Sequence, residues 1–426
     1  MSEQVAEPVG HRLPVRKLVA ASIGNAIEWY DWTVYATFST YIASALFAPG
    51  SAALMATFAT YALAFFFRPL GGFLLGRFAD VRGRKPAMIL TIVLMAGGSL
   101  AIGVLPTFAA VGWLAPILLL LARIAQGVSL GGEVSNASAY LGEIAPAARR
   151  GRYSAFFYIS TGTAVLIASL LGYFLVRVLG KADMAGYGWR IPFIVGGVLG
   201  IVGLWLRRTI DETEHFEKSK HKARKVEKPL LRTLKHHPGA VGQLIGYSML
   251  STLCYYTFFS TLTPFAINTK KASADDVFLA LSIGTALFIA LQYPMGVLSD
   301  RYGRKPQLLV WSAATAVLIV PLSTLITPGL GNLIVVFCVG LSLYTAMTSI
   351  APAIMSEMFP TELRALGIGA WYNVTVAVFG GTAPLVNTAL SDAGMSYVFF
   401  WYVAAGAAIA FFVIRTLPET KGMELK

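Results

Sequence analysis

The chain has 426 residues, a hydrophobic fraction of 56%, only 13% charged residues and a formal charge of +13, with a mean hydropathy of +0.66. Soluble domains carry about 25% charged residues, so the composition excludes a soluble enzyme, a disordered scaffold and a nucleic-acid binder. The 2 cysteines, Cys254 and Cys338, lie far apart in apolar runs and form neither a disulfide framework nor a metal spacing.

Met1 to Lys17 is polar, and the first apolar run is too long for the core of a cleavable signal. A bilayer core needs about 20 apolar residues per helix. Twelve such runs are predicted, at 18–46, 54–76, 86–105, 113–141, 153–178, 191–208, 238–267, 277–298, 306–326, 331–356, 365–390 and 395–415. Several are long enough to require tilt or interfacial extension. Of the 34 Lys and Arg, 27 fall in the N-terminal segment, the even-numbered connections and the C-terminal tail. That asymmetry places both termini and those connections in the cytoplasm. The positive charge is therefore topology, and no nucleic-acid partner is expected. The connection around 209–237 is long and polar. It reads as a cytoplasmic linker on the anionic leaflet, dividing the chain into an N-terminal half, 1–208, and a C-terminal half, 238–426.

The halves share motifs. Gly76, Asp80, Gly83, Arg84, Lys85 and Pro86 recur 220 residues later as Gly296, Asp300, Gly303, Arg304, Lys305 and Pro306, each set joining the second span of its half to the third. Glu143, Pro146 and Arg150 recur 214 residues later as Glu357, Pro360 and Arg364. Two repeated motifs in one order indicate two homologous six-helix halves, which suits a transporter with its site between them. The duplicated glycines permit close helix approach. Asp80 and Asp300 lie at helix ends beside arginines, where they pair with those arginines or cap a neighbouring helix. Contacts of that kind form in one access state and break in another, so Asp80, Arg84, Asp300, Arg304, Glu143, Arg150, Glu357 and Arg364 are the candidate gate.

Ionisable groups inside a span are costly unless paired or functional. Away from the span ends, only Glu28, Asp31, Glu133, Arg68 and Arg123 fall inside spans, all in the N-terminal half. At 100° per residue, Asn25, Glu28, Asp31, Trp32 and Tyr35 share an arc of about 120°, and Arg123, Gln126, Glu133 and Tyr140 one of about 100°. Both stripes are predicted to face the bundle interior. None of the 5 histidines lies in a span, so a carried proton must reside on a carboxylate or pass a tyrosine. Glu28 and Asp31 occupy adjacent turns, and their repulsion should leave one protonated. Arg123 with Asp31 or Glu133 is the candidate proton site. Arg68 is the candidate clamp for a substrate carboxylate, with Arg123 the other in-span candidate, since arginine binds carboxylates two-pronged. Asn25, Tyr35 and Gln126 are candidate substrate contacts beside them. Tyr255, Trp371 and Asn373 are candidate liners from the C-terminal half. No nucleophile–base set suggests an enzyme.

The Gly-x-x-x-Asp-x-x-Gly-Arg-Lys loops, the twelve spans and the long linker resemble the major facilitator superfamily. Arg123-x-x-Gln126-Gly127 is similar to its proton-transfer motif. Gly24-Asn25-x-x-Glu28-Trp29-Tyr30-Asp31, Phe67-Arg68-Pro69-x-Gly71-Gly72, Gly131-Gly132-Glu133 and Gly188-Trp189-Arg190-Ile191-Pro192-Phe193 resemble the metabolite:proton symporter family. Ser251-x-x-Cys254-Tyr255-Tyr256-Thr257 and Phe399-Phe400-Trp401-Tyr402 are similar to its 2-oxoglutarate permease branch. The resemblance covers essentially the whole chain. It implies an all-α membrane fold and proton-coupled symport of a small organic anion such as 2-oxoglutarate. Betaine, proline, citrate and shikimate are the alternatives, and a receptor on the same fold is a further one. It also implies a monomer in a bacterial inner membrane, with no cofactor beyond the coupling proton.

Overall fold

The structure is a computed structural model that describes residues 15–50, 52–82, 84–131, 145–208, 238–358 and 371–423. Each apolar run is helical over its described part, and among the described residues there is no β-strand. Hydrocarbon offers no partners to the backbone, so each crossing segment must satisfy its N–H and C=O groups internally. The first span comprises Val15–Thr37 and Ser39–Leu46, and the second Ala52–Phe66 and Arg68–Arg82. The third is Arg84–Val104, the fourth Leu114–Leu130, the fifth Arg150–Gly186 and the sixth Ile191–Arg208. The seventh begins as Pro238–Tyr256, passes a π-helical turn at Thr257–Thr261 and ends as Leu262–Asn268. The eighth is Ala274–Tyr302, the ninth Arg304–Thr324, and the tenth Leu330–Thr348 with Ala351–Met358. The eleventh is Trp371–Asp392, π-helical at Val376–Gly381, and the twelfth Ser396–Thr416. The linker expected at 209–237 lies outside the described residues.

Packing repeats with an offset of six spans. In the N-terminal half the first span packs on the fifth, the second on the fourth and the third on the sixth. In the C-terminal half the seventh packs on the eleventh, the eighth on the tenth and the ninth on the twelfth. Across the halves, the fifth lies along the eighth and the second against the eleventh, two contacts that the same offset interchanges. The outer surface is apolar: Val310, Val317, Ile409 and Phe412 are exposed, as lipid-facing side chains are. The inside holds the polar stripes. Asn25, Glu28, Asp31, Arg123 and Gln126 are each at most 2% exposed, so the predicted inward orientation holds for these five, and Arg68 at 1% is buried with them.

Candidate functional site

Two buried ion pairs lie in the N-terminal half, each joining the first span to a different neighbour. Asp31 meets Arg123 of the fourth span, with Nη1 3.5 Å from Oδ2. Gln126, one turn beyond Arg123, sits between them. Its Nε2 donates to Asp31 Oδ2 at 2.6 Å, and its Oε1 accepts from Arg123 Nη1 at 2.8 Å. Ser99 of the third span donates to Asp31 Oδ1. Two helices therefore supply three donors to one carboxylate, which offsets the cost of burying its charge. The Arg123 guanidinium lies 3.8 Å from the Trp32 ring centroid, 4.2 Å from that of Tyr35 and 5.5 Å from that of Tyr61. Such cation–π contacts strengthen when desolvated.

The second pair is Glu28 with Arg68 of the second span, 3.8 Å apart. Glu28 and Asp31 are thus each matched to their own arginine, and the repulsion expected between them is replaced by two separate attractions. Arg68 lies 5.3 Å from the Phe65 ring centroid. Phe65 and Tyr61 are 5.0 Å apart, so an aromatic bridge links the two pairs. The seventh span closes over it: Tyr256 packs 5.4 Å from Phe65, and Tyr255 lies 4.6 Å from Trp29 and 5.1 Å from Tyr256. In this fully buried setting Nε and Nη2 of both arginines make no hydrogen bond, nor does the Tyr256 hydroxyl.

The other sequence candidates sort by contact. Asn25 donates to Ser160 Oγ and Thr161 Oγ1, both at 2.9 Å, tying the first span to the fifth. The Tyr35 hydroxyl shares a 2.5 Å hydrogen bond with Thr60 and donates to the Thr57 carbonyl, so its ring rather than its hydroxyl serves Arg123. Asn373 reaches across the halves to the Gly131 carbonyl at 3.4 Å. Trp371 is partly buried, with its indole N–H unpartnered. Glu133, Glu143 and Arg364, and the side chains of Asp80 and Arg84, lie outside the described residues. Ser99 and Tyr61 escaped the sequence reading, which puts Trp32 on the polar stripe without a role against Arg123. Ser99 is a neutral residue in an apolar run, while Trp32 and Tyr61 look like ordinary packing. The one available signal was that Trp32 shares the polar stripe of the first span.

Four of the gate candidates, Arg150, Asp300, Arg304 and Glu357, are described, and they meet at the end carrying the duplicated loops. Asp300 Oδ1 accepts from the Gly151 N–H at 2.9 Å, and Oδ2 from the N–H and Nε of Arg152 at 3.2 and 3.1 Å, across the two halves. Arg304 holds Asp300 from its own half at 2.8 Å. The sequence offered arginine pairing or helix capping for this aspartate; it does both. A Cβ on Gly296 would sit 2.7 Å from the Gly151 carbonyl oxygen, so the motif glycine permits this crossing. Glu357 pairs with Arg150 across the halves at 2.6 Å and lies 3.9 Å from Arg304.

The C-terminal tail is also part of this cluster, which the sequence reading missed. Thr420 donates to Glu357 Oε2 at 2.5 Å, and Arg150 donates to the Met423 carbonyl at 3.0 Å. Glu419 accepts from the N–H groups of Arg304 and Lys305, capping the ninth span, beside Gly303 at φ 110°. Burial pushes the Glu419 carboxyl up, but the N–H groups of Arg304, Lys421, Lys305 and Thr420 outweigh it and hold the carboxyl below its ordinary value. The run Pro418-Glu419-Thr420-Lys421-Gly422 was the visible signal. At the opposite end Asn268 donates to Thr40 at 2.9 Å, also across the halves.

Helical spans in two six-helix halves, with buried ion pairs inside the bundle, are the architecture of a membrane transporter. The sequence profile of the Major Facilitator Superfamily matches residues 21–384 and, in a second match, 244–425. The chain is 38% identical over 414 residues to the alpha-ketoglutarate permease of Escherichia coli (strain K12), covering 96% of this chain and 95% of that protein. It is 31% identical over 435 residues to the proline/betaine transporter of the same strain, covering 96% and 85%. A partially occluded inward-open structure of the E. coli xylose transporter XylE superposes with a TM-score of 0.76 at 20% identity, covering 96% of this chain and 98% of that one. The chain belongs to the Major Facilitator Superfamily, and is a multi-pass membrane transporter rather than an enzyme.

Proposed function

We propose that this transporter carries a small dicarboxylate, with 2-oxoglutarate as the leading substrate, together with protons across a bacterial inner membrane. The observation that carries the reading is Arg68. It is fully buried between the halves, held to Glu28 only at 3.8 Å, and its Nε and Nη2 lack hydrogen bonds. A carboxylate needs such donors on entering a low-dielectric site. Arg123 is committed differently, to Gln126 and to three aromatic faces. This division makes Arg68 the substrate clamp and Asp31–Arg123 the proton site, with Glu28 released from Arg68 when substrate binds. The alpha-ketoglutarate permease at 38% identity supports the same substrate class.

Betaine or proline is the second reading, favoured by the similarity to the proline/betaine transporter and by the rings of Trp29, Tyr255 and Tyr256. A quaternary nitrogen needs open aromatic faces, and Arg123 already lies over the rings of Trp32, Tyr35 and Tyr61. The Asp300–Gly151 and Glu357–Arg150 ties serve as the cytoplasmic gate, with both termini on that side. The test is uptake into proteoliposomes of labelled 2-oxoglutarate, citrate, shikimate, proline and betaine, with and without a pH gradient. Gradient-driven accumulation of 2-oxoglutarate is expected. Accumulation of betaine alone would overturn the dicarboxylate reading.

A further inference from the structure

Asp31 is held by more than its arginine, and the serine on the third span has a property the other partners lack. Ser99 Oγ lies within reach of two acceptors, Asp31 Oδ1 and the Met95 carbonyl at 3.2 Å, and it accepts from Gln126 Nε2 at 3.1 Å. A hydroxyl has one hydrogen to give and two lone pairs to receive with. While Asp31 is ionised, Ser99 donates to it. When a proton arrives on Oδ1, the new O–H donates to Ser99 Oγ, and the serine hydrogen turns to the Met95 carbonyl. Neither state strands a buried polar atom. Gln126 has no such freedom, because its oxygen is held by Arg123 and its nitrogen by Asp31.

We propose that Ser99 is a positioning residue for proton coupling: it sets the pH at which Asp31 takes its proton by moving its hydrogen bond between the carboxylate and the Met95 carbonyl. The inference rests on the reading of Asp31 as the proton site. Among the described residues, the charged and titratable groups around Asp31 are few. The fourth span brings Arg123. The first brings Tyr30, whose hydroxyl donates to the Pro192 carbonyl, and Glu28, which is matched to Arg68 of the second span. The sixth brings Gly196, where even a Cβ would stand 3.6 Å from Asp31 Oδ1. The third brings no ionisable group at this level, only Ser99. Its neighbour Gly98 leaves the space that Gln126 fills, since a Cβ there would lie 2.6 Å from Gln126 Cγ. A hydrogen bond to a charged acceptor is worth more than one between neutral groups. Losing the hydroxyl therefore costs the ionised form more than the protonated one, and protonation should occur at higher pH.

The test is an infrared titration of the purified full-length transporter in lipid, without substrate. The protonated-carboxyl band that disappears in Asp31→Asn reports Asp31. Ser99→Ala should move the midpoint of that band to higher pH by about one unit. Ser99→Thr, which keeps the hydroxyl, should titrate as wild type. Ser99→Cys, a weaker donor of similar size, should shift in the same direction as alanine and replaces it should alanine not fold. The pH dependence of labelled 2-oxoglutarate counterflow should move with the band. A midpoint in Ser99→Ala that overlays wild type, or a threonine variant shifted as far as alanine, overturns the role of Ser99 while leaving Asp31 in place. If no pH-dependent band is lost in Asp31→Asn, the proton-site reading fails and this inference falls with it.

Discussion

Asp300→Asn tests the gate. In the closed arrangement the Asp300 carboxylate receives three bonds from the opposite half: the Gly151 N–H, the Arg152 N–H and Arg152 Nε. The Arg304 contact lies within one half and so is common to both access states. Asparagine keeps one oxygen. If it accepts from Gly151, its NH2 group faces the two Arg152 donors, and two charge-assisted bonds are lost to a donor–donor contact. Such bonds are worth about 1.5–3 kcal/mol each. Arg152 is 30% exposed, and water replaces part of the loss on opening. The net bias against the closed state is about 2–3 kcal/mol, or roughly a 30–150-fold shift in the access equilibrium. Spin labels at Arg149→Cys and Tyr302→Cys, both exposed positions beside the crossing, in a background lacking Cys254 and Cys338, should report longer distances in the variant. Substrate affinity should stay within a few-fold, and turnover should fall. An unchanged distance distribution with normal turnover, or a large loss of affinity with normal turnover, would refute the gate.

Asp31→Asn should abolish accumulation driven by a pH gradient while counterflow exchange survives; undiminished accumulation would remove Asp31 from the coupling. Removing the Arg68 guanidinium should weaken 2-oxoglutarate binding by about 2–5 kcal/mol, and Arg68→Lys should recover only part of that, because lysine cannot form the two-point fork. For a betaine carrier Trp371→Ala would instead be the more damaging change, so binding of both compounds to both variants separates the readings. Glu419 is held below its ordinary carboxyl range, so its tie to Arg304 and Lys305 is complete at neutral pH and is lost as pH falls through that range and beneath it. Protection of the Arg304 and Lys305 amides in hydrogen exchange should fall with acidification in wild type and be low at all pH values in Glu419→Gln. Strong protection in that variant would show that the tail does not cap the ninth span.

The sequence alone determined the number of spans, the pairing of the halves and the inward direction of the polar stripes. Each of these follows from a one-dimensional pattern: runs of about 20 apolar residues, a motif repeated at constant spacing, and charges recurring at helical period. It also named both arginines and both carboxylates, because an ionisable group in an apolar run stands out wherever the chain later places it. It could not say which arginine serves which acid. Asp31 and Glu28 are one turn apart, and their partners lie 92 and 40 residues away, so the matching depends on how the second and fourth spans cross the first. The same holds for Ser99 on Asp31, for the aromatic faces under Arg123, and for a C-terminal tail folded back onto Glu357 and the ninth span. The stripe that holds Trp32 and Tyr35 does not say which cation they will face, and Ser99, Tyr61 and the tail residues carry no periodic signal. Only the three-dimensional crossing of helices brings them within hydrogen-bond distance, and that is where the chemistry of this transporter was decided.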